Sequence, residues 1–285
     1  MSDRPPIQHP ANARPRRDAA DDVPAGPDAA ELAGIEEGLV RLVELAGSGR
    51  RDDPELGATM ISWPGRGPAF NHLTRLRWTE ADWRARVDLA AARMRALGEI
   101  PVLDVAEGLA TPPDVAARLG AAGWTEVGGE LTMWTRRAAA VPHLDLDLRL
   151  EAVTAAKVDE YETVERAVFG VMEAEREDRR AALRATVSAG LLRAYLVRID
   201  GAPVATARLL VESGLAVVHG LGVVEGRRRL GLGRYLTTIV TRAGLAMGAS
   251  LVWLAVDPGN EPAVGLYAGL DYRPAFRRRR FIGPG

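Results

Sequence analysis

The 285-residue chain contains no cysteine, which excludes disulfide bonds, thiolate metal sites and a cysteine nucleophile. Lysine is nearly absent as well, because Lys157 is the only one among 37 basic side chains. This excess of arginine is typical of a high-GC genome, so arginine clusters carry less weight here as functional signals. A chain without thiols suits a reducing compartment, and we expect a cytoplasmic protein.

Long apolar runs are also missing. No stretch approaches the ~18 residues that a membrane span requires, and the first ten residues have no apolar signal core. The net charge of −1, from 37 basic and 38 acidic groups, gives no electrostatic preference for nucleic acid or for an anionic membrane. The composition is that of a soluble globular protein, and we expect neither nucleic acid nor membrane as a partner.

The pattern of prolines and apolar residues predicts three regions. Residues 1–30 are proline-rich and are expected to be a disordered tail. Residues 31–140 are predicted to form a first domain and residues 141–285 a second. In the first, a helix is followed by strands at 58–63 and 70–78, a helix, a short strand, a helix and a hairpin over 126–136 that turns at Gly128-Gly129.

The second half has the same order of elements with additions at its start. A strand with strictly alternating leucines at 144–150 precedes helices over 154–189. Two-residue turns at Asp200-Gly201 and Ser213-Gly214 predict an antiparallel meander of three strands. A glycine-punctuated basic loop, a helix, an apolar strand, a helix and a closing strand pair follow. We therefore predict two copies of one α/β architecture, each a mixed, mostly antiparallel sheet flanked by helices.

The basic loop lies between an apolar strand and a helix, at residues 223–234. Glycines allow positive φ and close approach of a ligand, and the N–H groups that begin a helix attract phosphate. A nucleoside-triphosphate loop needs Gly-Lys-Ser/Thr, which is absent. A dinucleotide loop needs a third glycine where Leu236 stands. The spacing Arg-x-x-Gly-x-Gly is matched by Arg228, Gly231 and Gly233.

This loop resembles that of the GNAT superfamily of acyl-CoA N-acyltransferases. A second signature of that family follows on the expected strand and helix, as Leu254-x-Val256-x-x-x-Asn260-x-x-Ala263-x-x-Leu266-Tyr267. The family usually closes this stretch with Gly-Phe, whereas Asp271 and Tyr272 stand here. The resemblance covers the second half firmly and the first half by element order alone, which implies a tandem arrangement with a degenerate N-terminal copy that has lost the glycine loop.

The resemblance implies acetyl-CoA as co-substrate, no metal, and a splayed strand pair that holds the pantetheine arm. The backbone N–H of Val223 is expected to polarise the thioester carbonyl. The expected acyl-CoA-binding residues are Leu221, Gly222, Val223, Val224, Arg228, Arg229, Leu230, Gly231, Leu232, Gly233, Arg234, Asn260 and Tyr267.

Tyr267 stands where the family often places the acid that protonates the leaving sulfur. Packing alone would also explain this tyrosine, and Asn260 is expected to cap its helix as well. His219 is the first candidate for the base, because it alternates with Leu221 and Val223 and should share their face of the strand. A purely structural histidine, Glu212 and a water chain are the alternatives.

The function that follows is N-acetyl transfer from acetyl-CoA to a primary amine of an unidentified small molecule or peptide, by direct attack on the thioester. The alternative is a non-catalytic acyl-CoA-binding or scaffold protein. Phe169 and Met172 are expected to line the acceptor site, since the family's early helices roof it. The chain is expected to act as a monomer or a homodimer.

Overall fold

The computed structural model describes residues 25–170 and 176–284. Within these residues one continuous sheet of eleven strands forms the centre of the molecule. The strands are β1 (Gly49–Asp53), β2 (Ala58–Ser62), β3 (His72–Thr74), β4 (Val102–Ala106), β5 (Thr125–Thr135), β6 (Leu148–Ala152), β7 (Arg193–Ile199), β8 (Ala202–Glu212), β9 (Leu215–Val223), β10 (Leu251–Val256) and β11 (Arg273–Ile282). The helices are α1 (Ala29–Leu45), α2 (Trp83–Ala96), α3 (Val115–Ala121), α4 (Val158–Phe169), α5 (Arg176–Ser188), α6 (Leu232–Ala246) and α7 (Glu261–Ala268).

The two halves of the chain repeat one pattern of strand pairing. In the first half β1–β2 and β2–β3 are antiparallel and β3–β4 is parallel. In the second half β7–β8 and β8–β9 are antiparallel and β9–β10 is parallel. The predicted repeat is therefore confirmed at the level of topology, and we call the two sets of elements the N-terminal copy and the C-terminal copy.

The last strand of each copy is exchanged with the other copy. β5, from the first half, pairs antiparallel with β10, while β11, from the second half, pairs antiparallel with β4. β5 and β11 also pair with each other in the middle, so the sheet order reads β4-β11-β5-β10. The boundary predicted between residues 140 and 141 falls between β5 and β6, yet the sheet runs across both copies because β11 returns to the first.

The hairpin predicted around Gly128-Gly129 is wrong, and β5 runs straight through these glycines. They have φ values of 143° and 152°, and a Cβ on Gly129 would lie 2.0 Å from the carbonyl oxygen of Arg278. Gly129 therefore serves the close approach of β11 rather than a turn. The closing strand pair predicted at the C-terminus is likewise one strand, β11, since its pairing partners come from the first half.

Two further boundaries and one whole strand differ from the prediction. The strand predicted over 70–78 is short, because Arg75 takes a left-handed φ of 55° directly after β3. The strand predicted from residue 144 begins only at Leu148. The edge strand β1 was not predicted, since its sequence Gly-Arg-Arg-Asp-Asp lacks the apolar alternation of a strand, although charged residues are common on exposed sheet edges.

Helices cover both faces of the sheet. On one face α6 and α7 pack on the C-terminal copy, and α2 and α3 pack on the N-terminal copy. On the other face α1, α4 and α5 share a core with the buried indoles of Trp134 and Trp253. No helix in the described ranges is long and apolar enough to cross a membrane.

Helix α1 belongs to the first half of the chain but packs against strands of the C-terminal copy. A Cβ on Gly34 would lie 2.6 Å from Leu215 Cδ1, and one on Gly38 would lie 2.6 Å from Trp253 Cζ2. These two glycines, one helical turn apart, let the helix backbone approach β9 and β10 closely. The first half therefore contributes directly to the region in which the acyl-CoA signatures lie.

Candidate acyl-CoA site

A gap opens between the two parallel strands of the C-terminal copy. β9 and β10 pair only at their beginnings, where Leu215–Val217 meet Leu251–Trp253. Beyond these residues β9 continues to Val223 and β10 to Val256 without further pairing to each other. Each strand therefore presents a free backbone edge to the gap, and an extended amide-containing ligand can pair with such edges.

A β-bulge in β9 lies beside this gap. The β8–β9 register passes from Arg208↔His219 to Thr206↔Gly222, so β9 has one residue more than β8 over this stretch. Gly220 takes a φ of 59°, the left-handed conformation that such bulges need. The Thr206 hydroxyl donates to the Gly220 carbonyl at 3.2 Å and so fixes the bulge.

The bulge corrects one expectation about His219. A single extra residue reverses the alternation of side chains. Leu221 and Val223 therefore pack with the core under α6 and α7, whereas His219 lines a pocket against α1 and α5 on the opposite face. The expectation that His219 shares a face with Leu221 and Val223 is wrong, because simple alternation holds only for an unbulged strand.

The direction of one backbone N–H follows from its neighbour. The N–H of Val224 donates to the carbonyl of Val204 at 2.9 Å, on the β8 side. Successive N–H groups along a strand point to opposite edges, so the N–H of Val223 points into the gap.

Helix α6 begins beside the end of β9 with an open N-terminus. Its N-cap is Gly231, with φ 82° and no side chain to accept a hydrogen bond. The N–H of Tyr235 makes the first intrahelical bond, to the carbonyl of Gly231 at 2.9 Å, so the N–H groups of Leu232, Gly233 and Arg234 have no intrahelical acceptor. Three clustered donors and the positive end of the helix dipole make this a favourable place for an anion such as a phosphate.

The exposed side chains of the loop differ in whether they bond to the backbone. Arg229 and Leu230 are exposed, and Arg229 takes a left-handed φ of 66°. Arg228 donates through Nε to the Val223 carbonyl at 3.2 Å, and Arg234 donates to the carbonyl of Gly269 at 2.9 Å. A Cβ on Gly233 would lie 3.1 Å from Leu266 Cδ1, so this glycine permits the packing of α6 on α7.

Tyr267 lies in α7 within the same core as Leu221 and Val223. Burial raises the pKa of its phenol to about 12, so the hydroxyl remains protonated at neutral pH. Its ring centroid lies 6.0 Å from that of Tyr272, whose hydroxyl is bonded to Thr241 at 2.6 Å. Asn260 is the N-cap of α7 as expected, and its side chain accepts the N–H of Ala263 at 3.3 Å.

His219 lies in a pocket of about 150 Å³ that is walled by the end of α1 and by α5. Its Nε2 is buried without a hydrogen-bond partner. Burial, together with the positive charge of Arg208, lowers the pKa of His219 to about 3. Arg208 itself is held by the carboxylate of Glu165 and by the Tyr161 hydroxyl at 3.2 Å. His219 is therefore a neutral imidazole in this state.

The end of α4 closes the gap from the His219 side. A Cβ on Gly222 would lie 2.2 Å from Val168 Cγ1 and 2.9 Å from Phe169 Cζ. Phe169 is nearly half exposed, at 48%, and is therefore available to a ligand. Met172, the other residue expected here, lies outside the described residues. Among those that are described, no group of three or more metal-ligating side chains occurs.

These features define an acyltransferase fold of the GNAT type, with a parallel strand pair that splays, a bulge beside the opening, and a helix that starts at a glycine. The model of the acetyltransferase (GNAT) family matches residues 157–272, and this part of the chain belongs to that family. The match spans α4 to α7 and ends just before β11, so it contains both signatures.

Solved structures extend the likeness of the fold to both copies. A GCN5-related N-acetyltransferase from Kribbella flavida superposes with a TM-score of 0.71 at 20% identity, over 92% of this chain and 97% of that one. A tandem GNAT protein from the clavulanic acid biosynthesis pathway, in a structure without AcCoA, gives a TM-score of 0.63 at 19% identity, over 94% and 92%. The tandem GNAT architecture is therefore confirmed.

A curated relative matches over a shorter stretch. The mycothiol acetyltransferase of Frankia alni is 47% identical over 55 residues, which are 19% of this chain and 16% of that protein. The match thus spans about a sixth of the relative's length. This similarity is local.

Three structural residues of the site are not recognised from the sequence. Gly220 forms the bulge, and its signal is a glycine within an apolar strand, which often marks a bulge. Gly34 and Gly38 bring α1 onto the C-terminal copy, and their spacing of four on a helix was the available signal of a close helix contact.

Proposed function

We propose that the protein is an acyl-CoA-dependent N-acyltransferase that transfers an acetyl group from acetyl-CoA to a primary amine. The observation that carries the proposal is the gap between β9 and β10, with the N–H of Val223 pointing into it and the open start of α6 beside it. Family membership of residues 157–272 supports the same reaction class.

The residues present fit the co-substrate in two places. The N–H groups of Leu232, Gly233 and Arg234 would hold the pyrophosphate, and the positive φ of Gly231 brings backbone rather than side chain toward it. The edges of β9 and β10 would pair with the pantetheine amides. When bound, acetyl-CoA supplies an acetyl group activated as a thioester.

The N–H of Val223 is suited to stabilise the negative charge that develops on the carbonyl oxygen during attack. Tyr267 is suited to give a proton to the leaving sulfur, since its phenol is protonated at neutral pH and it lies in the same core as Val223. We therefore assign Val223 the role of oxyanion donor and Tyr267 that of general acid.

Removal of the amine proton is best assigned to water. His219 has a pKa near 3 and is a weak base at neutral pH. It stands four residues from Val223, which corresponds to roughly 12 Å along a strand. Glu212 pairs with Leu215 at the far end of β9, roughly 25 Å from Val223. Neither side chain reaches an amine at the gap directly.

The proposal is tested by calorimetric titration of the full chain with acetyl-CoA, followed by thiol-release assays with primary amines. We expect one binding site per chain and amine-dependent release of free thiol. Binding without turnover across amines of differing charge and size would favour the non-catalytic acyl-CoA-binding alternative. Absence of acetyl-CoA binding would refute both.

A further inference from the structure

A second pocket, of about 380 Å³, lies where strands of the two copies meet. Its charged residues come from four elements, and we call this group the charged pocket: Asp104 on β4, Glu130 on β5, Asp257 directly after β10, and Arg278 and Arg280 on β11. The strands β4, β11 and β5 are neighbours only because the two copies exchange β5 and β11. Neither acyl-CoA signature accounts for this pocket.

The charged pocket begins at the strand that borders the gap. Val256 pairs with Leu131, and Glu130 pairs with Arg278, so Asp257, Glu130 and Arg278 form a row across three neighbouring strands. Neighbouring strands are about 4.8 Å apart. A ligand in the pocket thus lies within about one or two strand spacings of an acyl group held between β9 and β10.

The row also lies on the same face of the sheet as α4, whose Phe169 is expected to line the acceptor site. Trp253 and Ala255 of β10 belong to the core under α1, α4 and α5, and Asp257 continues this alternation. Phe169 of α4 lies over Gly222 on the same side.

The charged pocket contains more carboxylates than guanidinium groups. Arg280 binds both oxygens of the buried Asp104 carboxylate, each at 2.7 Å, and Arg278 pairs with Glu130. These pairs match the two guanidinium groups with two carboxylates. Asp257 adds a third, exposed carboxylate, whose Oδ1 accepts the N–H of Gly259 at 2.8 Å. One negative charge is therefore in excess, and Glu130 and Asp257 are the more exposed members.

The excess of carboxylate selects a cationic group, but that group cannot be the amine that reacts. An amine must be unprotonated to attack a thioester, whereas nearby carboxylates stabilise its protonated form. The cation in the pocket and the attacking nitrogen are therefore two different groups of one acceptor. This step rests on the function proposed above.

We propose that the acceptor carries two amino groups, and that Glu130 and Asp257 bind the ammonium that does not react. The other nitrogen, unprotonated at the gap, forms the amide bond as the thioester C–S bond breaks. The leaving sulfur takes up one proton and the nitrogen loses one, so the product keeps its second ammonium in the pocket.

The proposal is tested with three probes of equal chain length in thiol-release assays with acetyl-CoA. 1,4-Diaminobutane carries the second ammonium, 1-aminobutane lacks it, and 4-aminobutanoate replaces it with a carboxylate. We expect kcat/KM for the diamine to exceed that for the monoamine at least tenfold, with the amino acid poorest. Equal use of diamine and monoamine, or a preference for 4-aminobutanoate through Arg278, would overturn the proposal.

Matched variants test whether Glu130 and Asp257 recognise the second ammonium. Glu130→Gln and Asp257→Asn each remove one charge at nearly constant shape, and asparagine can still accept the Gly259 N–H. The diamine-to-monoamine ratio of kcat/KM should fall about tenfold in each. Glu126→Gln is the control, because Glu126 lies on the same strand and pairs with Arg279 outside the pocket. An equal fall in the control would show a general charge effect and refute the site.

Direct binding separates this inference from the proposed function. 1,4-Diaminobutane titrated into the full chain without acetyl-CoA should bind, and Glu130→Gln should weaken the binding about tenfold. If the chain binds the diamine but not acetyl-CoA, the pocket stands and the acyltransferase proposal fails. If it binds acetyl-CoA but not the diamine, the pocket assignment fails alone.

Discussion

The N-terminal and C-terminal copies share their strand pairing but differ in what fills the opening between the parallel strands. In the C-terminal copy, residues 257–260 connect β10 to α7 directly and leave the gap free. In the N-terminal copy the corresponding connection, residues 107–114, is longer and folds back. Thr111 donates to Leu76 at 3.1 Å and accepts from Trp78 at 3.1 Å. The chain's own backbone thus occupies the edge that an extended ligand would use.

The helix starts differ in the same sense. Gly231 leaves the start of α6 open, whereas the N-cap of α2 is Asp82. The Asp82 carboxylate accepts the N–H of Thr79 at 2.7 Å, and the Thr79 hydroxyl accepts the N–H of Asp82 at 3.2 Å. A resident carboxylate at the helix start opposes a phosphate at that place. Two independent physical features therefore disfavour acyl-CoA binding in the N-terminal copy.

The proposed general acid also has no counterpart in the N-terminal copy. Tyr267 is the seventh residue after the N-cap of α7, and the seventh residue after the N-cap of α3 is Ala121. The N-terminal copy instead contributes scaffolding. Its helix α1 covers β9 and β10, and its strand β5 lies directly beside β10. The comparison shows that elements of the N-terminal copy form part of the structure around the gap of the C-terminal copy.

The largest effect is expected where the two copies exchange strands. In Gly129→Ala the new Cβ meets the Arg278 carbonyl oxygen at 2.0 Å, and both groups are backbone-fixed. We expect the free energy of unfolding to fall by about 3 kcal/mol or more, from overpacking and from strain at positive φ. Urea titration followed by tryptophan fluorescence measures it.

Gly128→Ala is the matched control for this exchange. Gly128 has a similar positive φ, but a Cβ added there would have no neighbouring atom within 4 Å. The free energy of unfolding should therefore fall by about 2 kcal/mol less in Gly128→Ala than in Gly129→Ala. Equal losses in the two variants would show that backbone strain alone, and not the contact between β5 and β11, accounts for the effect.

The next effect concerns Tyr267, the residue of α7 that has no counterpart in α3. Tyr267→Phe should lower kcat by about a hundredfold, since general acids contribute on the order of 10²–10⁴, while acetyl-CoA affinity stays the same. Tyr272→Phe is the control within the same pair of rings. It loses the Thr241 hydrogen bond and about 1 kcal/mol of stability, but little kcat. An unchanged kcat in Tyr267→Phe would leave the tyrosine as a packing residue.

Local features of both copies could be predicted from the sequence, whereas the exchange between them could not. The turn at Asp200-Gly201, the strand β10 and the glycine that starts α6 each depend on neighbouring residues, and the structure confirms them. The pairing of β5 with β10 depends on residues over a hundred positions apart, and no local pattern distinguishes it from pairing within one copy.

Two of the wrong interpretations have a common physical origin. Gly128-Gly129 was interpreted as a turn, and Gly220 did not interrupt the assumed alternation around His219. In both cases glycine supplies an unusual φ for a close approach or a bulge, and composition alone does not distinguish these uses from a hairpin turn. Only the partner strand decides which use applies.

A third prediction concerns the start of α6, the helix of the C-terminal copy that corresponds to α2. Gly231→Asp places a negative charge at the start of α6, as Asp82 does at α2. Gly231→Asn has the same size, tolerates positive φ and meets Leu144 in the same way, but is neutral. We expect Asp to weaken acetyl-CoA binding about thirtyfold relative to Asn, because like charges are juxtaposed. Equal affinities by calorimetry would move the pyrophosphate elsewhere.

The smallest expected effect is on the pH dependence of unfolding, and it tests whether the two copies unfold as one cooperative unit. Each copy supplies one buried histidine as a probe. His72 faces Asp104 at 3.6 Å, and burial, with the nearby Arg280 and Arg278, lowers the pKa of His72 to about 4 against the opposing effect of Asp104. The unfolded chain binds the proton first, so stability is complete above about pH 6.5 and falls as the pH approaches 4. The loss should be about 1.5 kcal/mol by pH 5.5.

His219, with its pKa near 3, should contribute a loss of the same sign over this window. We therefore expect His72→Gln and His219→Gln each to flatten the pH dependence of unfolding measured in urea between pH 7 and 5.5. Because β5 and β11 join the copies into one sheet, both variants should act on a single transition. Two transitions, each sensitive to one histidine only, would show that the copies remain separate folding units despite the exchanged strands.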